Sequence, residues 1–202
     1  MLETGFVYST IIDPLLGNLR KRLAHEINKG DTVIDIACGT GAQLFELADK
    51  AESVTGVDLS ASMISYATNH AKKKKIINAS FVVCDATNLS MFYQQKFDVA
   101  ILSMALHQFE PGLYKAIFAE VKKVAERIVV LDYAVPLPKN YLGVGSKVAE
   151  FLAGVEHNRN FKSYTKAGGL TTILPVNGFV IKRSKLIGKG AFQLVVAQKH
   201  CG

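Results

Sequence analysis

The stretch Thr32-Val33-Ile34-Asp35-Ile36-Ala37-Cys38-Gly39-Thr40-Gly41 constrains this chain more than any other. Val33, Ile34 and Ile36 are β-branched and apolar, as a central parallel strand covered on both faces requires. Gly39 and Gly41 then let the backbone turn tightly and approach a ligand without a Cβ in the way. A helical pattern from Gln43 to Lys50 follows and presents unpaired N–H groups at its start. Strand, glycine turn and helix in this order predict a nucleotide-type cofactor site at the carboxyl end of a strand in a doubly wound sheet.

The rest of the chain is consistent with one domain built on that unit. Its 202 residues suffice for a sizeable core, and the hydrophobic fraction of 49% with 20% charged residues is that of a globular protein. Cys38, Cys84 and Cys201 are too few and too scattered for a disulfide framework or a zinc cluster, so we expect no metal and a reducing, cytoplasmic setting. The first residues lack the basic and apolar regions of a signal peptide, and no apolar run is long enough to cross a bilayer. The net charge of +7 favours anionic partners without specifying a reaction.

Residues Ser9 to Lys29 carry Ile12, Leu15, Leu16, Leu19, Leu23 and Ile27 at helical steps, with Pro14 near the start and Asp13 as a possible cap. This helix is expected to cap the domain over residues 1–29; its basic face also permits contact with a membrane surface, and Tyr8 and Asp13 could face a substrate. Further strands are expected at Ser53–Leu59, Ser80–Ala86, Phe97–Ser103 and Arg127–Tyr133, alternating with helices at Ala61–Lys75 and Pro111–Ala125. Asp58 ends the second strand, where a carboxylate can accept from both hydroxyls of a ribose; Ser60 is the better helix cap. Asp85 ends the third and can accept from the amine of an adenine, with the Ala86 N–H donating to the ring. Phe179–Leu186 and Phe192–Lys199, around Gly188-Lys189-Gly190, form a closing hairpin.

Four segments carry a family resemblance. Asp35–Gly41, Gly56-Val57-Asp58-Leu59-Ser60 with Met63, Cys84-Asp85-Ala86 and Phe97-Asp98-Val99-Ala100 resemble, in order, the motifs of class I S-adenosylmethionine-dependent methyltransferases. The combination is similar to the small methyltransferase-11 type, which includes ubiquinone and menaquinone methyltransferases. The resemblance covers about residues 30 to 135 and departs at Ala37, where the family often has glycine. The turn also lacks the third glycine that a dinucleotide pyrophosphate needs, which separates it from dehydrogenases. The family fold is a Rossmann-like three-layer α/β sandwich, with a seven-stranded, mostly parallel sheet and an antiparallel terminal hairpin.

The resemblance implies S-adenosylmethionine as cofactor. Asp35 and the backbone of Ala37, Cys38, Gly39 and Gly41 would hold its methionine arm, and Asp58 its ribose. Leu59, Met63, Asp85 and Ala86 would surround the adenine, and Ser103 would lie beside the sulfonium. His107, after the fourth strand, is the first candidate for a general base. Residues 136–170 read as a substrate-side helical insertion, with a helix at Ser146–Val155. Glu156 and His157, in Glu156-His157-Asn158-Arg159-Asn160-Phe161, are further candidates to touch substrate. The expected acceptor is a small or lipid-like, quinone-like molecule. A nucleic-acid substrate is the alternative, disfavoured because Ser103-Met104-Ala105-Leu106 stands where base-methylating enzymes carry an Asn/Asp-Pro-Pro-aromatic motif. A non-catalytic partner subunit that kept the fold is a third reading.

Overall fold

Strand β1 (Thr32–Ile36) lies at the centre of the sheet, where its apolar β-branched side chains Val33, Ile34 and Ile36 are fully buried. The computed structural model describes residues 13–141, 143, 150 and 154–200. β1 pairs in parallel with β2 (Ser53–Asp58) on one side and β4 (Phe97–Ser103) on the other. β3 (Ala79–Val83) extends the sheet beyond β2, and β5 (Ala125–Tyr133) beyond β4. The chain closes with β6 (Phe179–Ile187) and β7 (Phe192–Lys199); β7 inserts antiparallel between β5 and β6. The order β3-β2-β1-β4-β5-β7-β6 makes a seven-stranded, mostly parallel sheet with an antiparallel hairpin, the architecture expected. The order reverses between β1 and β4, so a crevice opens at their carboxyl ends, the usual ligand position in such sheets. Asp98 ties the two strands at the opposite end, accepting from the Thr32 N–H at 2.8 Å and its hydroxyl at 2.7 Å.

Helices fill the connections: α1 (Asp13–Ala24), α2 (Ala42–Phe45), α3 (Ala61–Lys74), α4 (Tyr114–Val124), α5 (Val155–Lys166) and α6 (Leu170–Val176). Leu23 and Ile27 bury α1 and its continuation; Ile64, Ala67 and Ala71 bury α3; Ile117, Phe118, Val121 and Val124 bury α4. Each such Leu, Ile or Val contributes about 1.5–3 kcal/mol by leaving water.

Several boundaries differ from expectation. α1 ends at Ala24, short of Lys29. The helix expected over Gln43–Lys50 closes after one turn, and Leu47 and Lys50 then donate to carbonyls three residues back instead of four. The helix expected at Pro111–Ala125 begins at Tyr114; Leu113 sits in a short 3₁₀ turn before it and is 40% exposed. The polar run from Glu156 is the start of α5, whose buried side is Asn160, Phe161 and Tyr164; an Asn and two aromatics disguise its period. Beyond the Gly168-Gly169 stop, Leu170, Ile173 and Leu174 bury α6, which was not expected. The expectations for Tyr8, for the helix start at Ser9, for nearly all of Ser146–Val155 and for Cys201 lie outside the described residues.

Candidate active site

The glycine turn leaves β1 with three left-handed residues: Ala37 at φ 59°, Gly39 at φ 54° and Gly41 at φ 75°. A side chain at Gly41 would place its Cβ 2.6 Å from the Phe81 ring, so both conformation and space demand glycine there. Ala37 adopts the same region with a Cβ, which explains glycine as the common occupant of that position in the family it resembles. The turn folds back on β2: the Gly39 N–H donates to Asp58 Oδ2 at 2.8 Å, and the Ser60 N–H donates to Asp58 Oδ1 at 2.8 Å. Two backbone donors thus aim the Asp58 carboxylate and leave it lone pairs for further donors. Ser60 caps α3 by accepting from the Met63 N–H at 3.4 Å, so Asp58 is not spent as the cap.

A cavity of about 230 Å³ opens over this turn, lined among others by Asp35, Ala37, Cys38, Gly39, Asp58, Met63, Ser103 and Met104. Asp35 is 1% exposed, and its Oδ1 has no hydrogen-bond partner among the described residues. Burial, and then the charge of Asp58, hold its carboxyl well above the usual range. A cation in this cavity would oppose both effects. Burial likewise pushes the Cys38 thiol far up, with the Asp35 and Asp58 charges adding, so Cys38 is an inert wall. Met104, just past β4, is left-handed at φ 54°, a strained conformation beside a ligand cavity. The Met104 N–H donates to the Leu131 carbonyl at 2.8 Å, and its carbonyl accepts from Gln108 Nε2 at 2.7 Å.

A second cavity, about 420 Å³, shares Ala37, Asp58, Gln108 and Phe109 with the first. Leu59, Asp85 and Ala86 line it from one side, and Glu156, His157 and Asn160 of α5 from the other. Leu59 is 74% exposed, an apolar face ready to be covered by a planar ligand. Asp85 Oδ1 accepts from the Thr87 N–H and hydroxyl, both at 2.8 Å; these bonds lower its pKa and keep it ionised. Glu156 and His157 therefore share a cavity with Leu59, Asp85 and Ala86, while Ser103 lines the other. Asn160 Nδ2 donates to the Gln108 carbonyl at 2.7 Å, joining α5 to the wall between the cavities.

His107 lines neither cavity. It is 2% exposed, with Nδ1 at 2.6 Å from Asp132 Oδ1 and Nε2 at 3.4 Å from Glu150 Oε1. The rings of Tyr133, Phe161 and Tyr164 meet it edge to face. Burial opposes a charge on the ring, but the Asp132 charge and hydrogen bond, with the contribution of Glu150, outweigh it and raise the pKa to about 9. Near neutrality both nitrogens therefore carry protons and both face carboxylates, which is poor geometry for the general base expected of His107. The partners Asp132, Glu150 and Tyr164 were not singled out in the sequence; an acid inside Val129-Val130-Leu131-Asp132-Tyr133 was the available signal.

The cavities suit the four parts of S-adenosylmethionine: a buried acid for an ammonium, a backbone-aimed acid for ribose hydroxyls, an exposed leucine with Asp85 for adenine, and a narrow wall at Ser103 and Met104.

Comparison with known proteins agrees. Residues 27–169 match the family model for a methyltransferase domain. Over 111 residues, 54% of the chain, it is 32% identical to phosphoethanolamine N-methyltransferase of Triticum aestivum, of which the match covers 21%. Over 110 residues, 53% of the chain, it is 31% identical to demethylmenaquinone methyltransferase of Beutenbergia cavernae, of which the match covers 42%. The chain thus spans less than half the length of these relatives. Its fold aligns with magnesium protoporphyrin IX methyltransferase of Synechocystis PCC 6803 with bound SAH, at TM-score 0.63 and 21% identity, over 93% of this chain and 83% of that one. With the family model spanning most of the chain and the fold and glycine turn in agreement, the chain belongs to the class I S-adenosylmethionine-dependent methyltransferases.

Proposed function

We propose that this chain methylates a small organic acceptor with an apolar, quinone- or lipid-like body. The observation that carries the reading is the pair of adjoining cavities with a shared wall at Gln108 and Phe109: one holds the unpartnered Asp35, and the second has Leu59, Asp85 and Ala86 on one side for the adenine and α5 on the other, where the acceptor would lie. The similarity to a demethylmenaquinone methyltransferase supports the same acceptor class.

Bound there, S-adenosylmethionine supplies a methyl group already activated on a sulfonium. In this reading Asp35 and the Ala37–Gly41 backbone take the amino-acid arm, and Asp58 accepts from the ribose hydroxyls. Leu59, Met63, Asp85 and Ala86 enclose the adenine. Ser103 and Met104 form the floor under the reacting centre, and Phe109 excludes water from it. Positioning and a dry pocket supply most of what such a transfer needs. Glu156 and His157 stand at the rim where the acceptor enters, and His157 takes a proton from an acceptor that must lose one. His107 is a positioning residue: with Asp132 and Glu150 it fixes the turn that carries Gln108 and Phe109. No helix among the described residues is long and apolar enough to cross a membrane, so a lipid-like acceptor would be met at a membrane surface.

The test is incubation with methyl-labelled S-adenosylmethionine and, separately, a lipid–quinone extract, an aqueous metabolite pool and total RNA. Label in a solvent-extractable small molecule is the expected result. Label in RNA would replace this reading with the nucleic-acid one. No label anywhere, from a chain that binds the cofactor, would favour a partner subunit.

A further inference from the structure

A second buried acceptor shares the cavity of Asp35. Gln43, in the single turn of α2, is 4% exposed and lines the same cavity. Its Nε2 donates to the Arg20 carbonyl of α1 at 3.3 Å, which fixes the orientation of the amide. Gln43 Oε1 is therefore the end left over, and it has no hydrogen-bond partner among the described residues. Buried acceptors are almost always paired, so two orphans lining one cavity call for a donor between them. Both are acceptors, and the cavity is lined besides by Arg20, the one cation among its described residues. Two buried acceptors at one cavity match the ammonium of an α-amino acid head.

We propose that Gln43 is a binding residue for the α-amino group of the cofactor's amino-acid arm, acting beside Asp35 and held in place by the last turns of α1. The inference rests on the reading of this cavity as the S-adenosylmethionine site. An ammonium offers three protons; Asp35 takes one with its charge, and Gln43 Oε1 takes a second without adding another negative charge beside Asp58. Because the Gln43 amide is anchored to the Arg20 carbonyl, α1 becomes part of the arm's binding site rather than a cap alone.

Calorimetry with S-adenosylhomocysteine and with methylthioadenosine, which lacks the amino-acid arm, tests this on the parent chain and on Gln43→Leu. The expected result is adenosylhomocysteine affinity weakened about tenfold or more, with methylthioadenosine affinity unchanged. Equal losses for both ligands, or no loss for either, would overturn the inference while leaving the cofactor reading intact. A parent chain that binds neither would overturn both. Should Gln43→Leu melt before binding can be measured, the parent chain supplies the readout by NMR. The Gln43 side-chain amide resonances are expected to shift with adenosylhomocysteine and not with methylthioadenosine. The same shift with both ligands would overturn the inference.

Discussion

Two buried aspartates lie next to the last residue of their strands, on either side of β4, and meet opposite fates. Asp35 of β1 and Asp132 of β5 are 1% and 0% exposed. Asp132 is fully paired: His107 Nδ1 lies 2.6 Å from Oδ1, the Tyr133 N–H donates to Oδ1 at 2.7 Å, and the His107 N–H donates to Oδ2 at 3.2 Å. Asp35 has an orphaned oxygen and a second acid, Asp58, beside it in the same cavity. A buried charge whose partners are built into the fold stabilises that fold. One whose partners are missing costs stability, and at Asp35 the orphaned oxygen belongs to a residue that lines a cavity. Burial alone does not separate these two aspartates; the unmet hydrogen bond and the cavity beside Asp35 do.

The largest effect that can break this comparison is at His107. His107→Ala leaves Asp132 and Glu150 buried without their cation and is expected to destabilise the fold by about 3–5 kcal/mol in chemical denaturation. A variant of unchanged stability but no turnover would return His107 to catalysis. Next in size is the pH dependence. The ring's pKa is raised to about 9, so its stabilising effect is complete below its unfolded pKa, about 6.5, and is lost as pH rises through about 9. The stability of the parent chain against chemical denaturation should fall by a few kcal/mol across that window, and His107→Gln should show a flatter profile.

Asp35 carries the opposite sign. Its pKa is raised by burial and by Asp58, so the ionised group costs stability at neutral pH. Asp35→Asn is expected to raise the melting temperature of the ligand-free chain by about 2–4 °C, from roughly 1 kcal/mol, and to weaken cofactor binding at least tenfold. A lower melting temperature with unchanged affinity would make Asp35 another Asp132. The smallest effect is at the rim. Glu156 is exposed and, among the described residues, makes a 3.9 Å ion pair to Arg159, so Glu156→Ala should change stability by less than about 0.5 kcal/mol. His157→Ala is expected to leave cofactor affinity intact as well, while KM for the acceptor rises in both variants.

What was legible in the sequence was local. Apolar runs rich in β-branched residues disclosed the parallel strands, because strand, turn and cap signals lie within a few residues of each other. Gly188-Lys189-Gly190 disclosed the hairpin by the same logic. The positions of Asp58 and Asp85 at the crevice were readable because Asp58 ends β2 and Asp85 follows β3 by two residues. The His107 cluster was not readable: its three members come from a turn after β4, from β5 and from position 150, and only the folded sheet brings them together. His107 in isolation has the chemistry of a base; the fold sets a carboxylate against each of its ring nitrogens. Gln43 was hidden for the same reason, since its partner, the Arg20 carbonyl, belongs to a helix on the far side of β1 in sequence. α5 went unread because Asn160, Phe161 and Tyr164 do not form an aliphatic stripe.

The most direct test of the central claim, that the acids at the glycine turn are there for the cofactor, is calorimetry with S-adenosylmethionine on the parent chain and on Asp58→Ala. The Asp58 carboxylate is aimed by the Gly39 and Ser60 N–H groups, so its loss should weaken binding by about tenfold to a hundredfold while the fold persists. Equal affinity in the two proteins, or no binding by the parent chain, would contradict it.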